Sequence, residues 1–486
     1  MIMFSRCIAL NRFMKSFRKS LIGSCVLKRI LPSLLSWLIL FFLSFSHTMP
    51  ASAAFTIEDE RKVGKEFYDK LEKHGYLEQN PRMEGYLNRI GNLLVANSRK
   101  APFDFRFSVV KSSAINAFAT PGGYVYVNTG LINLVETESE LAGVLAHEIS
   151  HANARHIADM IDKSQKISIA SLAAILAGAL LGGGGQGTAA VAAFSMATAT
   201  HLTLQYSREH EEEADRIGMA TLVQSGYDGK AMLDFLKIMR RYEFYSNTVP
   251  SYFLTHPGTD ERIRYLDGLL QTTYRQGGKE SIVGGLKRIQ AILVLDNKNL
   301  DNIRGEYQEA LKKNPNDVDV LYGLALIQEK LGLVSQSLEN FQKALNLAPA
   351  DEDILRDTGI SYFKAGHPAE AIELLQKAFA LNEGNESTLI YLAKSYETLG
   401  DFESTLIIYK RLETKKIVDA DIYYNMAVAY GKTNDPGNSH YNFGIYFKKK
   451  NKKESALFHF RAALPYFSKD SERGRDIEKE IKSLNK

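Results

Sequence analysis

The sequence predicts a mainly α fold with a small β-sheet, organised as a mixed first half followed by a solenoid of helix pairs. Three observations carry this. Between about 57 and 272, helical periodicity is broken by two alternating runs, "DFRFSVVKS" and "GGYVYVNTG", which read as strands. From about Gly284 onward, glycine, leucine and alanine positions recur at a period of 34. Within the first of these regions lies "AGVLAHEISHANARH", residues 142–156, a polar-faced stretch inside good helix formers.

The first 53 residues stand apart. They carry Arg6, Arg12, Lys15, Arg18, Lys19, Lys28 and Arg29 and no acid, then the apolar run Leu31 to Phe45, then Ala51 and Ala53 in an A-x-A arrangement. That order is a cleavable secretory signal over 1–53. The apolar run is short of the roughly 20 residues a transmembrane helix needs, although a retained membrane anchor is the alternative. Seven of the 60 basic residues and none of the 56 acidic ones lie there, so the net charge of +4 becomes −3 without them. The basic excess thus belongs to the signal, and no nucleic-acid partner is expected. Cys7 and Cys25 leave with it, so disulfides are excluded and any metal must be held by histidine and carboxylates. An exported, cysteine-free, mildly acidic protein fits a bacterial periplasm.

Helical segments at 57–97 lead into the strand runs, with "TPGG" as a turn between them. Helical pattern resumes near Glu138. Residues 168–200 are small, apolar and uncharged around a four-glycine break. They read as a buried helical hairpin, or alternatively as a mobile flap or a segment in peripheral membrane contact near the active site, with the Gly184 region as its hinge.

In the second half Gly332, Gly366 and Gly400 share one period with Leu321, Leu355, Leu389 and Tyr423, and with Ala344, Ala378 and Leu412. Tyr362 matches Tyr396, and Pro315 matches Pro349. A small residue at the helix crossing, an aromatic above it and a turn glycine are what stacked hairpins need. The pattern resembles the tetratricopeptide repeat, with four to five units over 284–486. The register is expected to slip after Tyr430 at "GKTNDPGNSH", to restart at Gly444, Ala456 and Ala463, and to end in a charged helix at 470–486. Such arrays present a concave surface for peptides or partner proteins.

His147 and His151 lie at i and i+4, so on a helix both imidazoles project from one face and can reach one Zn²⁺. Glu148 lies about 100° round from His147, beside the metal, where it can take a proton from water. A third ligand is needed. "QYSREHEEEADRIGMA" offers Glu209, Glu211, Glu212 and Glu213, and Glu211 shares a helix face with Asp215. Glu211 could then bind metal while Asp215 orients a ligand imidazole. His156, His201 and His210 are read as supporting or surface residues.

Together, His147-Glu148-Ile149-Ser150-His151 and Glu211-Glu212-Glu213-Ala214-Asp215 resemble the HExxH and ExxAD motifs of gluzincin metallopeptidases of family 48, the HtpX and CAAX-endopeptidase group. "NAFATPGGYVYVNTGLI" and "THPGTDERI" are similar to the family's strand-and-turn and HPxxxxR segments. The trailing repeats are similar to those of its periplasmic BepA-type protease and chaperone subgroup. The resemblance implies a zincin-type metalloprotease domain over 54–275, one zinc per chain held by His147, His151 and Glu211, and Glu148 as catalytic base. It further implies His256 as a regulatory fourth ligand and places Arg262 near the site, where it could support a ligand or stabilise the oxyanion. The alternative for His256 is a helix-start residue without metal contact. An extended substrate is expected to pair along Gly123–Asn128, with Asn116, Gly123, Tyr124, Val125 and Tyr126 lining it.

The expected function is hydrolysis of unfolded or misfolded envelope polypeptides. The resemblance points to outer-membrane β-barrel proteins as clients, their assembly machinery as partner, and association with the outer membrane. The competing reading is a chaperone or scaffold that acts through its repeats beside a latent zinc site. A membrane-integral prenyl-protein endopeptidase is disfavoured, because 168–200 breaks at glycines.

Overall fold

The computed structural model describes residues 55–100, 102–163, 176, 205–246, 249–274, 277–414 and 419–485. The expected signal at 1–53, the small-residue run around Gly184 (apart from Leu176) and His201 lie outside the described residues. Among the described residues, no helix is long and apolar enough to cross a membrane.

The first half opens with α1 (Ile57–Lys73) and α2 (Pro81–Ala96). Both begin on side-chain caps, from Thr56 and Asn80. Strands β1 (Arg106–Val110), β2 (Ala117–Thr120) and β3 (Tyr124–Asn128) follow. After the short α3 (Thr129–Leu134) comes α4 (Glu138–Asn153), which carries both motif histidines. Its start is fixed by a reciprocal capping box between Thr137 and Glu140. Helices α5 (His156–Lys163), α6 (Arg208–Gln224), α7 (Lys230–Ser246), α8 (Ser251–Thr255) and α9 (Thr259–Thr272) complete this half. Leu141, Leu145 and Ile149 of α4 sit in one apolar core with Val125 and Val127 of β3, Met219 of α6 and Leu236 of α7. The helix is buried nearly all round, which holds its polar residues rigidly.

The sheet corrects one expectation. Its order is β1-β3-β2, with β3 parallel to β1 and antiparallel to β2. The run expected to receive substrate, Gly123–Asn128, is therefore the middle strand, and its backbone groups are paired on both sides. Tyr124, Val125 and Tyr126 cannot add a further strand. β1 is bridged on its far side by Leu77, which leaves β2, among the described residues, as the strand with a neighbour on one side only. The sequence had not marked Ala117–Thr120 as a separate strand: at four residues, all buried, it shows no alternation.

The second half is a run of antiparallel helices. It comprises α10 (Leu286–Val294), α11 (Leu300–Lys313), α12 (Val318–Lys330), α13 (Val334–Leu347), α14 (Glu352–Lys364), α15 (Pro368–Leu381), α16 (Glu386–Thr398), α17 (Phe402–Thr414), α18 (Ala420–Lys432), α19 (Pro436–Lys449), α20 (Lys453–Ala463) and α21 (Glu472–Asn485). Gly332, Gly366 and Gly400 turn the chain at φ 77°, 85° and 78°, the left-handed region that glycine enters without strain. Asn434 does the same at φ 58°. The expected slip after Tyr430 is therefore misplaced: Asn434 keeps the period, because asparagine also tolerates this conformation. Ser337, Thr405 and Ser439 all bond back to the carbonyls of Ala325, Ala393 and Ala427, extending the same register. The change comes half a period later, at Asn451 (φ 57°). Helix α19 closes one pair with α18 and opens the next with α20, where Gly444 lies against Phe460.

Two polar clusters join the halves. Glu138, at the start of α4, accepts from the backbone N–H groups of Ile282, Val283 and Gly284 at 2.7–2.8 Å and from the hydroxyls of Tyr227 and Tyr86. Arg82 of α2 forks onto Asp357 of α14 at 2.7 and 3.0 Å and donates to the Tyr322 hydroxyl.

Candidate metal centre

Helices α4 and α6 cross closely because Gly218 faces the backbone of Ala146 and His147; a Cβ there would sit 3.1 Å from the His147 nitrogen. This approach brings Glu211, one turn into α6, against both histidines of α4. His147, Glu148, His151, Glu211, Asp215 and His256 are all at most 2% exposed.

The donor atoms converge. His147 Nε2 is 3.0 Å from His151 Nε2 and 3.3 Å from His256 Nδ1. Glu211 Oε2 is 3.4 Å from His147 Nε2, while its Oε1 is 3.4 Å from His151 Nε2 and 3.0 Å from His256 Nδ1. One ligand atom from each of these four residues lies within 4.8 Å of the others. Ligands at about 2.1 Å around a tetrahedral ion stand about 3.4 Å apart, so the spacing is that of a four-coordinate site. Glu148 Oε1 and His256 Nε2 are buried without hydrogen-bond partners, a cost of about 1–3 kcal/mol each unless a cation or a substrate group answers them. Three imidazoles and one carboxylate fit zinc, a borderline-soft ion.

The surroundings orient these groups. His147 Nδ1 faces Asp215 Oδ1 at 2.9 Å, and Arg262 grips Asp215 through Nε and Nη2 at 2.8 and 2.7 Å. Arg262 Nη1 also lies 2.8 Å from Glu211 Oε2. Nε and Nη2 are thus taken by Asp215, while Nη1 pairs in charge with Glu211 and makes no hydrogen bond. Glu148 Oε2 accepts from the Ala119 backbone N–H of β2 at 3.0 Å, and its Oε1 lies 3.4 Å from His256 Nε2. Tyr252 stacks on His256 at 4.4 Å.

Burial pushes the Glu148 carboxyl up, opposed by His256 and His147, which suits a proton acceptor that must later give the proton away. Burial and Arg262 push His147 down, but hydrogen bonds to Asp215 and Glu211 outweigh them and lift it to about 9. Burial carries His151 well below its ordinary value. Glu211 is held well below the usual carboxylate range: burial works against this, and the charges of His256 and Arg262 prevail.

The structure thus brings together His147, Glu148, His151, Glu211, Asp215, His256 and Arg262 from three helices and one connecting segment. Asn116 is buried at the start of β2, while Gly123 to Tyr126 lie one strand further from Glu148. Sequence reasoning missed Tyr206, Tyr252 and Gly218, which frame the cluster, and read His156 only as a supporting or surface residue. Tyr206 packs 3.9 Å from His151 and Tyr252 against His256. Single aromatics give no periodic signal, and Gly218 looked like an ordinary helical glycine.

A HExxH helix, a carboxylate from a crossing helix and a three-stranded sheet beside them define a zincin-type metallopeptidase domain, here followed by helical repeats. Residues 81–270 match peptidase family M48 and residues 290–352 match the tetratricopeptide repeat, so the chain carries an M48 peptidase domain and a tetratricopeptide array. The beta-barrel assembly-enhancing proteases of Yersinia pestis and Escherichia coli K12 are 35% and 31% identical over 214 residues, 44% of this chain and 44% of each relative. The mitochondrial metalloendopeptidase OMA1 of Schizosaccharomyces pombe is 31% identical over 37% of this chain and 51% of that protein. The chain thus matches less than half the length of the bacterial relatives.

Proposed function

We propose that the protein is a zinc-dependent endopeptidase of the bacterial periplasm that removes unfolded or misfolded envelope polypeptides. The single observation that supports it most is the buried convergence of His147, His151 and Glu211, with Glu148 alongside. A bound zinc ion would polarise the scissile carbonyl and acidify a water. Glu148 takes a proton from that water and returns it to the leaving amine, so that water is added across the peptide bond. Asp215 and Arg262 hold His147 and Glu211 in place. The open edge of β2 lies beside Glu148 and offers backbone pairing to an extended chain. The substrate edge is thus reassigned from β3 to β2. The names of the bacterial relatives support β-barrel proteins of the outer membrane as clients, with the repeats engaging clients or the assembly machinery.

One observation favours a second reading. His256, fully buried, offers the fourth ligand and faces Glu148, so the site is closed in this state. A protein that acts chiefly as a chaperone, with a latent site, would look the same.

The deciding experiment follows degradation of an unfolded outer-membrane β-barrel polypeptide by wild type, Glu148→Gln and His256→Ala with zinc supplied. Glu148→Gln is expected to lower the rate by about 10²–10⁴-fold, and His256→Ala to raise it. Full hydrolysis by Glu148→Gln would sink the mechanism. No cleavage by any form would favour the chaperone.

A further inference from the structure

The two histidines of α4 are supported by different chemistry. Both Nε2 atoms face the donor cluster and both Nδ1 atoms face away. His147 Nδ1 meets a carboxylate, Asp215. His151 Nδ1 meets another imidazole nitrogen, Nδ1 of His156, at 2.9 Å. Two ring nitrogens at that distance share one hydrogen; two would collide, and none would set lone pair against lone pair. A neutral imidazole that keeps Nε2 bare for a metal carries its hydrogen on Nδ1, so His151 is the donor. His156 must then accept at Nδ1 and carry its own hydrogen on Nε2. That Nε2 lies 3.3 Å from Glu213 Oε2. Only one pair of tautomers satisfies all these atoms.

We propose that His156 is the positioning residue for His151, in a directed chain from His151 to His156 to Glu213 that presents a neutral acceptor where His147 has a carboxylate. This rests on the reading of His151 as a zinc ligand. The surroundings are built to hold the ring. His156 is 2% exposed. The His210 ring lies flat on it, with centroids 4.3 Å apart and planes 17° apart, and His210 Nε2 is itself held by Asp159 at 2.9 Å. Arg155, at φ 56°, turns the chain sharply between α4 and α5 and brings His156 back beneath His151. The chain also gives the glutamate cluster of α6 a division of labour. Glu211 faces the metal ligands, Asp215 holds His147, and Glu213, on the half-exposed side, closes the relay behind His151.

The two supports have different consequences. A carboxylate draws strongly on the shared hydrogen and makes the ligand nitrogen more electron-rich; a neutral imidazole draws less. The arrangement leaves His151 the weaker donor, and a bound metal correspondingly more electrophilic.

The test measures zinc affinity by chelator competition, together with kcat and KM, for wild type and three variants of His156. His156→Leu removes the acceptor and is expected to weaken zinc binding about 10–100-fold. His156→Asn places an amide oxygen near the lost Nδ1 and is expected to restore affinity to within about threefold of wild type. His156→Asp supplies a carboxylate and is expected to bind zinc more tightly than wild type while lowering kcat at unchanged KM. Wild-type affinity in His156→Leu, or no rescue by His156→Asn, would overturn the proposal. His156→Asp binding no tighter than wild type would overturn the neutral-acceptor assignment. Wild-type protein that takes up no zinc would bring down the metal reading itself, and this proposal with it.

Discussion

The metal centre and the junction between the halves bury carboxylates to a similar degree, yet they do opposite things with them. Asp357 is 6% exposed and Glu138 is 2% exposed, as hidden as Glu148 and Glu211. Asp357 is answered by two guanidinium groups, Arg82 and Arg356, and by the Tyr322 hydroxyl, a close contact. Glu138 is answered by three backbone N–H groups and two phenols. At the metal centre Glu148 keeps one oxygen without a hydrogen bond, and Glu211, though paired with Arg262, sits among converging imidazole nitrogens. Burial alone does not mark chemistry. What separates the two regions is whether the chain answers its buried carboxylates in full or leaves buried donor atoms converging on a space that a cation can fill.

The comparison can be broken at the junction first. Glu138→Ala would strand three N–H groups and two hydroxyls between the zinc helix and the linker, so the largest loss of stability is expected here, about 3–5 kcal/mol, read from the urea midpoint. A loss within 1 kcal/mol would show that water replaces the carboxylate. Arg82→Ala should cost less, about 1–3 kcal/mol, because Arg356 remains on Asp357. Its signature is earlier proteolytic cleavage between the halves, with zinc affinity unchanged; a fall in zinc affinity would show that the two clusters are coupled.

The smallest effect is one of pH. Burial raises Asp357, but Arg82 and Arg356 outweigh it and hold it at about 2. Its folded value is depressed below that of an unfolded aspartate, near 3.9. The stability it contributes is therefore fully present above about pH 4 and is lost as pH falls through about 2. The stability difference between wild type and Arg82→Ala should be flat from pH 8 to about 4 and shrink below. A difference that changes between pH 8 and 5 would assign the effect to another group.

The same contrast explains what the sequence could reveal. His147, Glu148 and His151 are legible because a four-residue spacing on a helix defines a face, and Glu211 with Asp215 repeats that logic on a second helix. The repeats are legible through their period, and Asn434 was overlooked because it fills a glycine position without being glycine. Arg82 and Tyr322, which meet Asp357, and the partners of Glu138 lie far along the chain, so no local spacing announces them. The same holds for His156, whose neighbour Glu213 belongs to another helix. Strand order escaped for a related reason: Tyr124 to Asn128 looks like any half-buried strand, and only its pairing with both β1 and β2 puts it in the middle of the sheet.

The most direct test of the central claim is zinc content per chain, measured by native mass spectrometry on wild type and Glu211→Gln. One zinc in wild type and little or none in Glu211→Gln are expected, since the amide keeps the shape but loses the anionic ligand. No zinc in wild type, or one zinc retained by Glu211→Gln at the same affinity, would contradict the assignment of the buried cluster as the metal centre.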